Sequence, residues 1–179
     1  LLAPVAAGFL VLVLFLLLPP LGSAAEPVQV RYFLPKTVFI HPDDKHTVGV
    51  WDEEKKAWTS EYVSDLEYNP DEFKLEFSLT KFAPVAYLQQ KTTDYPYDSW
   101  YIRSTGEQKA LLTIKTKRLT INIEILPLAV KLIEMKDVKE LAELCDIEMH
   151  PGMLLMELSR RGIHMMPEDE DAARGGIHL

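Results

Sequence analysis

Cysteine is almost missing from these 179 residues: Cys145 stands alone, so no internal disulfide can form and the chain depends on a buried core. Glycine is scarce too. The eight glycines are so scattered that neither a GxGxxG turn nor a P-loop can be assembled to cradle a phosphate, which excludes nucleotide hydrolysis by those routes. Cys145 has no CxxC companion, so the thiol spacing of a zinc or redox site is absent. Neither Asn69 nor Asn122 begins an N-x-S/T sequon. Residues 1–25 carry no charge at all, so all 19 basic and all 27 acidic residues lie beyond them and leave a net charge of −8. That balance repels phosphate backbones and anionic bilayers. It excludes nucleic acid as an expected partner, and a membrane as well unless the uncharged leader is genuine.

The leader, residues 1–25, is the first positive feature. Val5–Leu18 is an apolar run closed by Pro19 and Pro20, and Gly22-Ser23-Ala24-Ala25 supplies the small residues a signal peptidase accepts. The run is shorter than the roughly 20 residues a membrane-crossing helix needs. Two readings remain open here, a signal-like segment or a gene-model artefact, and the single cysteine suits a reducing compartment.

From Val28 onward, short runs with period-two alternation recur between turn signals, as half-buried antiparallel strands require. Phe73–Leu79 and Leu119–Ile125 alternate most regularly. Val28–Phe33, Thr37–Ile40, Thr47–Trp51, Trp58–Tyr62, Ala83–Gln89, Ser99–Arg103, Ala110–Thr116 and Leu128–Ile133 are further predicted strands, separated by turns such as Asn69-Pro70-Asp71. After Glu134 the period changes to about 3.6. Val138, Leu141, Leu144 and Cys145 fall on one helical stripe, with Asp137 and Glu140 spaced as a capping box. A second helix begins at Pro151, has the apolar body Met153, Leu154, Leu155, Met156 and Leu158, and stops at Gly162, after which Ile163 folds back toward Leu158. The expected fold is mainly β: an antiparallel immunoglobulin-like β-sandwich over 26–134, followed by two short α-helices in an appendage over 135–166 packed on it. Residues 167–179 read as an acidic tail or linker.

Chemistry-bearing groups are few. His41, Asp43, Asp44 and His46 are the compact set with metal-capable side chains, but His41-Pro42-Asp43-Asp44 reads first as a turn and lacks zinc-type spacing, so no metal and no cofactor is expected. Trp51 and Trp58 flank a six-residue stretch, so a hairpin brings their indoles together. Tyr95, Tyr97, Trp100 and Tyr101 crowd around Pro96, either packed beneath a loop or offered to a sugar or a protein partner. The candidate partner-binding residues are Met153, Leu154, Met156, Leu158, Met165 and Met166, because flexible thioethers adapt to a partner's groove, unless they close the domain's own core. Lys115, Lys117 and Arg118, with Lys109 nearby, form a small basic cluster near one predicted turn.

Several stretches carry a resemblance beyond pattern. Trp51-Asp52-Glu53-Glu54-Lys55-Lys56-Ala57-Trp58, Phe73–Phe82, Tyr97–Arg103, Pro151–Leu155 and Met166–Asp171 together resemble the carboxy-terminal part of the cancer-susceptibility-candidate-one family, accessory intermediate chains of axonemal inner-arm dynein. The similarity covers most of Tyr32–Ile177 and carries no catalytic motif. It implies a non-catalytic scaffold subunit of a cilium or flagellum, in the cytoplasm or on the axoneme. The implied partners are dynein heavy and intermediate chains, with tubulin as a further candidate. Taking the leader at face value gives the alternative, a secreted or anchored adhesion or carbohydrate-binding module.

Overall fold

A computed structural model describes residues 9–12, 26–41, 44–133, 135 and 138–166. Regular structure is mainly strand, arranged in antiparallel sheets with two short helices. The chain divides into two units at Gln90, with Thr37–His41 belonging to the second. The strand alternation expected over 26–134 is present, but it is shared between two cores. Alternation marks a strand and its buried face, and says nothing about which strands share a sheet.

Among the described residues the first unit has seven strands: β1 (Phe9–Leu12), β2 (Val28–Phe33), β3 (Thr47–Asp52), β4 (Ala57–Thr59), β5 (Val63–Asn69), β6 (Lys74–Leu79) and β7 (Val85–Gln90). They form two sheets, of order β1-β7-β3-β4 and β2-β6-β5. On β6, Leu75, Phe77 and Leu79 are buried while Lys74 and Glu76 between them are not, as the pleat dictates. On the other sheet Val48 pairs with Tyr87 and Val50 with Val85, so the four share one face, and all are buried. The two faces meet at His46, whose ring lies 4.5 Å from that of Tyr68 on β5 while its Nδ1 is 3.0 Å from the Tyr87 hydroxyl. On the opposite face of β3, Gly49 is required by close approach: a Cβ there would stand 2.7 Å from Leu88 Cδ1 and 3.3 Å from Trp58 Cβ.

The β3–β4 hairpin is built around one carboxylate. Asp52 accepts from the amides of Glu54 (3.0 Å) and Lys55 (3.1 Å) and from the Tyr62 hydroxyl (3.3 Å), with the Lys81 ammonium 3.9 Å away. This ties the turn to its own first residue, and Lys56 closes the turn at a φ of 49°. Trp51 and Trp58 sit directly opposite each other with ring centroids 5.4 Å apart at 66°, the edge-on arrangement that aromatic quadrupoles favour.

The second unit is one five-stranded sheet, ordered β12-β11-β10-β9-β8, from β8 (Ser99–Gly106), β9 (Lys109–Lys115), β10 (Thr120–Ile125), β11 (Val130–Leu132) and β12 (Glu148–Met149). Its register lines up apolar rows across the strands. Ile102, Leu112, Ile123 and Leu132 form one row, and Trp100, Ile114 and Ile121 another. A 3-10 helix (Lys139–Leu144) and α1 (Pro151–Arg160) supply Leu141, Leu144, Leu154 and Leu158 to the same core, joined by Ile163 and Met165. Burying Leu154 and Leu158 contributes about 1.5–3 kcal/mol each. The α1 helix begins with Pro151 after His150, whose Nδ1 accepts from the Gly152 amide at 3.2 Å. It ends as the sequence foretells, with Gly162 at φ 84° and the Ile163 amide donating to the Leu158 carbonyl at 3.0 Å.

One buried ion pair stitches this unit together. Arg118 donates from Nε to Asp94 Oδ1 (3.0 Å) and from a terminal nitrogen to Oδ2 (2.5 Å), and the same nitrogen reaches the Gly162 carbonyl at 3.1 Å. The Thr116 hydroxyl donates to Asp94 as well, and the guanidinium lies 5.3 Å from the centre of the Phe39 ring. The Asp94 and Arg118 side chains are 1% and 6% exposed.

Several elements differ from expectation. Thr37–Ile40 is no strand: Phe39 instead packs into the second core and donates its amide to the Arg161 carbonyl at 2.8 Å. The expected first α-helix is a six-residue 3-10 helix without a side-chain cap, and the expected capping residue Asp137 lies outside the described residues. The expected strand Trp58–Tyr62 ends at Thr59, and β5 follows it without a clean alternation because a bulge between Ser64 and Glu67, with Asp65 at φ 54°, breaks the period. Within the leader, Phe9–Leu12 pairs with β7, and the rest of residues 1–25 lies outside the described residues, as does the acidic tail 167–179. Among the described residues no helix is long and apolar enough to cross a membrane.

The amide of Lys55 above all, then that of Glu54, the Lys81 charge and the Tyr62 hydroxyl, holds the Asp52 carboxyl below its ordinary range against the opposing effect of burial. Its stabilising effect is therefore complete above the unfolded-state pKa of about 4 and is lost as pH falls through the lower folded value. Urea unfolding from pH 7 to pH 3 should show Asp52→Asn less stable at pH 7 and with a shallower acid limb; an unchanged limb would reject the assignment. Arg118→Ala, which strands the buried Asp94 charge, should cost about 3–5 kcal/mol, whereas the double change Asp94→Leu with Arg118→Met should recover most of that loss.

Candidate interaction surface

The side chains with partner-binding character fall into two groups once placed. Leu154, Leu158 and Met165 are 1%, 0% and 7% exposed, so they close the second unit's own core and have no surface to offer a partner. Helical spacing explains the division: positions 154 and 158 share the face turned to the sheet, while Met153 and Met156 share another. Met153, Met156 and Met166 remain exposed. The basic cluster divides as well. Lys115 and Lys117 are exposed, whereas Arg118 is turned inward onto Asp94.

On α1 the outward polar positions are held by local pairs. Glu157 accepts from Arg160 at 2.7 Å and from Arg161 at 2.5 Å. Arg161 chiefly, then Arg160, keeps the Glu157 carboxyl below its ordinary range, so it stays charged through neutral and mildly acidic pH. The exposed methionines thus sit beside a compact charged group, an arrangement that suits a protein surface better than a lipid one.

The aromatic group around Pro96 does not form one platform. The rings of Tyr95 and Tyr97 lie 5.3 Å apart, tilted by 42°, and both are half-buried, Tyr97 against the second core. Trp100 and Tyr101 are adjacent on β8 and so point to opposite faces of the sheet, where they are 65% and 51% exposed. A sugar stacked across all four rings has no common surface to lie on. Among the described residues no group of three or more metal-capable side chains comes together. His46 is held by Tyr68 and Tyr87 in the first unit, and Asp43 lies outside the described residues.

The surface that pattern reading underrated is the edge of the second sheet. All eight residues of β8 are exposed, Ile102 by 56%, and β8 is the outermost strand of its sheet. The run Trp100-Tyr101-Ile102 announces a strand, but its place at an edge is a property of topology that no local signal carries. Beside it, a shallow depression of about 600 Å³ is lined by Ile102, Ala110, Ile125, Leu126 and Lys109 among others.

No family model matches the chain. Among curated proteins it is similar to dynein axonemal intermediate chain 7 of Homo sapiens, at 31% identity over 147 residues that make up 81% of this chain. The protein of the same name from Macaca fascicularis is 33% identical over 147 residues, and that from Danio rerio 26% over 156 residues, or 87% of this chain. The chain spans about a fifth of the length of these relatives, 20–21%. The described sheets, with their exposed edge, therefore belong to a chain related over most of its length to proteins named axonemal dynein intermediate chains.

Proposed function

We propose that this chain is a non-catalytic accessory subunit of an axonemal dynein, of the cancer-susceptibility-candidate-one kind. It contributes to ciliary or flagellar dynein assembly and motility through contacts with the heavy and intermediate chains. The observation that carries this reading is the 31–33% identity over four-fifths of the chain to proteins named for that complex. The surface chemistry agrees with it. Exposed apolar groups sit on both the helical and the strand borders of the second unit, Met153 and Met156 on α1 and Trp100 and Ile102 on β8, and such groups are what protein interfaces bury at their centres. Tubulin is the weaker candidate partner, because the net charge of −8 opposes an acidic surface and the basic cluster has lost Arg118 to its own core.

Expression of the tagged full-length protein in ciliated cells tests the proposal. Dynein heavy and intermediate chains should co-purify with it and the tag should mark the axoneme. A specific pull-down without heavy chains, or recovery of the protein from the culture medium cleaved after Ala25, would overturn the reading. At low salt, the double substitution Lys115→Gln with Lys117→Gln should leave pelleting with microtubules unchanged; lost pelleting would assign the cluster to tubulin.

A further inference from the structure

We propose that the open edge of β8 is an acceptor site at which an extended, acidic segment of another subunit adds to the five-stranded sheet as a sixth, antiparallel or parallel strand. The inference deepens the accessory-subunit reading and rests on it for the source of the segment.

In an antiparallel ladder each strand directs its N–H and C=O groups alternately to its two sides, and among the described residues only β9 pairs with β8. The other set of donors and acceptors faces outward along a strand of eight residues. Proteins usually blunt such an edge with charge, proline or a bulge. Here the shift in register falls late, between Ser104 and Gly106, and Arg103 is the one charged residue within the strand, which leaves Ser99–Ile102 with none of these devices.

The face beneath the edge is apolar. Trp100 and Ile102 continue the two apolar rows of the core: Trp100 is in register with Ile114 and Ile121, and Ile102 with Leu112, Ile123 and Leu132. Burial falls away along each row toward the edge, from Leu132 at 0% and Ile123 at 6% to Ile102 at 56%, and from Ile121 at 0% and Ile114 at 8% to Trp100 at 65%. A further strand carrying apolar side chains at alternate positions would extend those rows by one and cover both residues. Its other positions would lie with Tyr101 and Arg103 on the polar face.

Charge selects the occupant. Between residues 98 and 117 stand Arg103, Lys109, Lys115 and Lys117 against Asp98 and Glu107, all exposed. This is a basic border in a chain whose net charge is −8. Like charges directly opposed across a ladder are destabilising, so two copies of this edge repel, whereas a segment with acidic residues at its polar positions is drawn in.

Fluorescence anisotropy on the full 179-residue chain, with labelled nine-residue probes alternating Val with Glu, Ser or Lys, tests the site directly. The Glu probe should bind about tenfold more tightly than the Lys probe and weaken as salt rises. Ile102→Ser, which removes the last apolar side chain of its row without changing the charge, should weaken the Glu probe about tenfold, and Trp100→Ser should do likewise in case the first variant folds poorly. Leu128→Ser, at a 93% exposed apolar residue outside the strands, should leave binding unchanged. Bound Glu probe should slow amide exchange on β8. No binding of the Glu probe, equal binding of all three probes, or equal loss with Leu128→Ser would overturn the proposal. A concentration-dependent dimer that Ile102→Ser abolishes would also overturn it and give the edge to a second copy. The outcomes separate from those of the preceding proposal: probe binding without co-purified heavy chains keeps the site and removes the dynein partner, and the reverse keeps the partner and removes the site.

Discussion

The second unit depends on the placement of a single arginine. Arg118 meets the Asp94 carboxylate with two nitrogens and shares that carboxylate with Thr116, while it also reaches the carbonyl that follows α1 and lies over Phe39. Segments as far apart as Phe39 and Gly162 converge on one guanidinium, whose planar fork can serve several acceptors at fixed angles where an ammonium cannot. The pair is too buried for water to stand in for either partner, so its value lies less in net free energy than in excluding other arrangements of these segments. That α1 lies against β11 is fixed partly by oily contact, which tolerates sliding, and partly by the Gly162 carbonyl, which does not.

The first unit solves the same problem with a shorter-range device. Asp52 organises its own hairpin through backbone amides, and the tryptophan pair beside it locks the register of β3 against β4. A carboxylate that is 3% exposed yet satisfied by local amides needs no distant cation to stay charged, and Lys81 at 3.9 Å is a supplement. The contrast is between a polar centre that closes a turn and one that joins elements far apart in sequence.

Legibility in the sequence followed this same division between local and distant causes. The strands of β6 and β10, the Trp51–Trp58 pairing and both ends of α1 were readable because each is dictated by neighbours within a few positions. The division of the strands between two cores was not, nor was the burial of Phe39, since both depend on partners far along the chain. Arg118 shows why a site forecast from charge alone errs: in sequence it is one of a basic group, and only the fold reveals Asp94 waiting for it. Leu154, Leu158 and Met165 show the apolar equivalent, for a methionine-rich stretch looks the same whether its groove belongs to a partner or to its own sheet. The 3-10 helix at Lys139–Leu144 reads as α in the sequence because so short a stripe fits both periods too well to separate them.

The edge of β8 brings these themes together. A sheet that grows by register will continue its apolar rows as far as its strands extend, whether or not anything covers the last of them. In this unit the helices share one core with β10 and β11, and the rows run on to Trp100 and Ile102, which stay 65% and 56% exposed. A monomer designed solely for solubility would place lysines there. The lysines instead stand around the strand, at positions 109, 115 and 117, where they leave the pairing edge and its apolar face open while setting the sign of what approaches. That distribution separates two tasks that a surface rarely separates so clearly: the backbone and the rows supply adhesion to any extended chain, and the surrounding charge decides which chain is admitted.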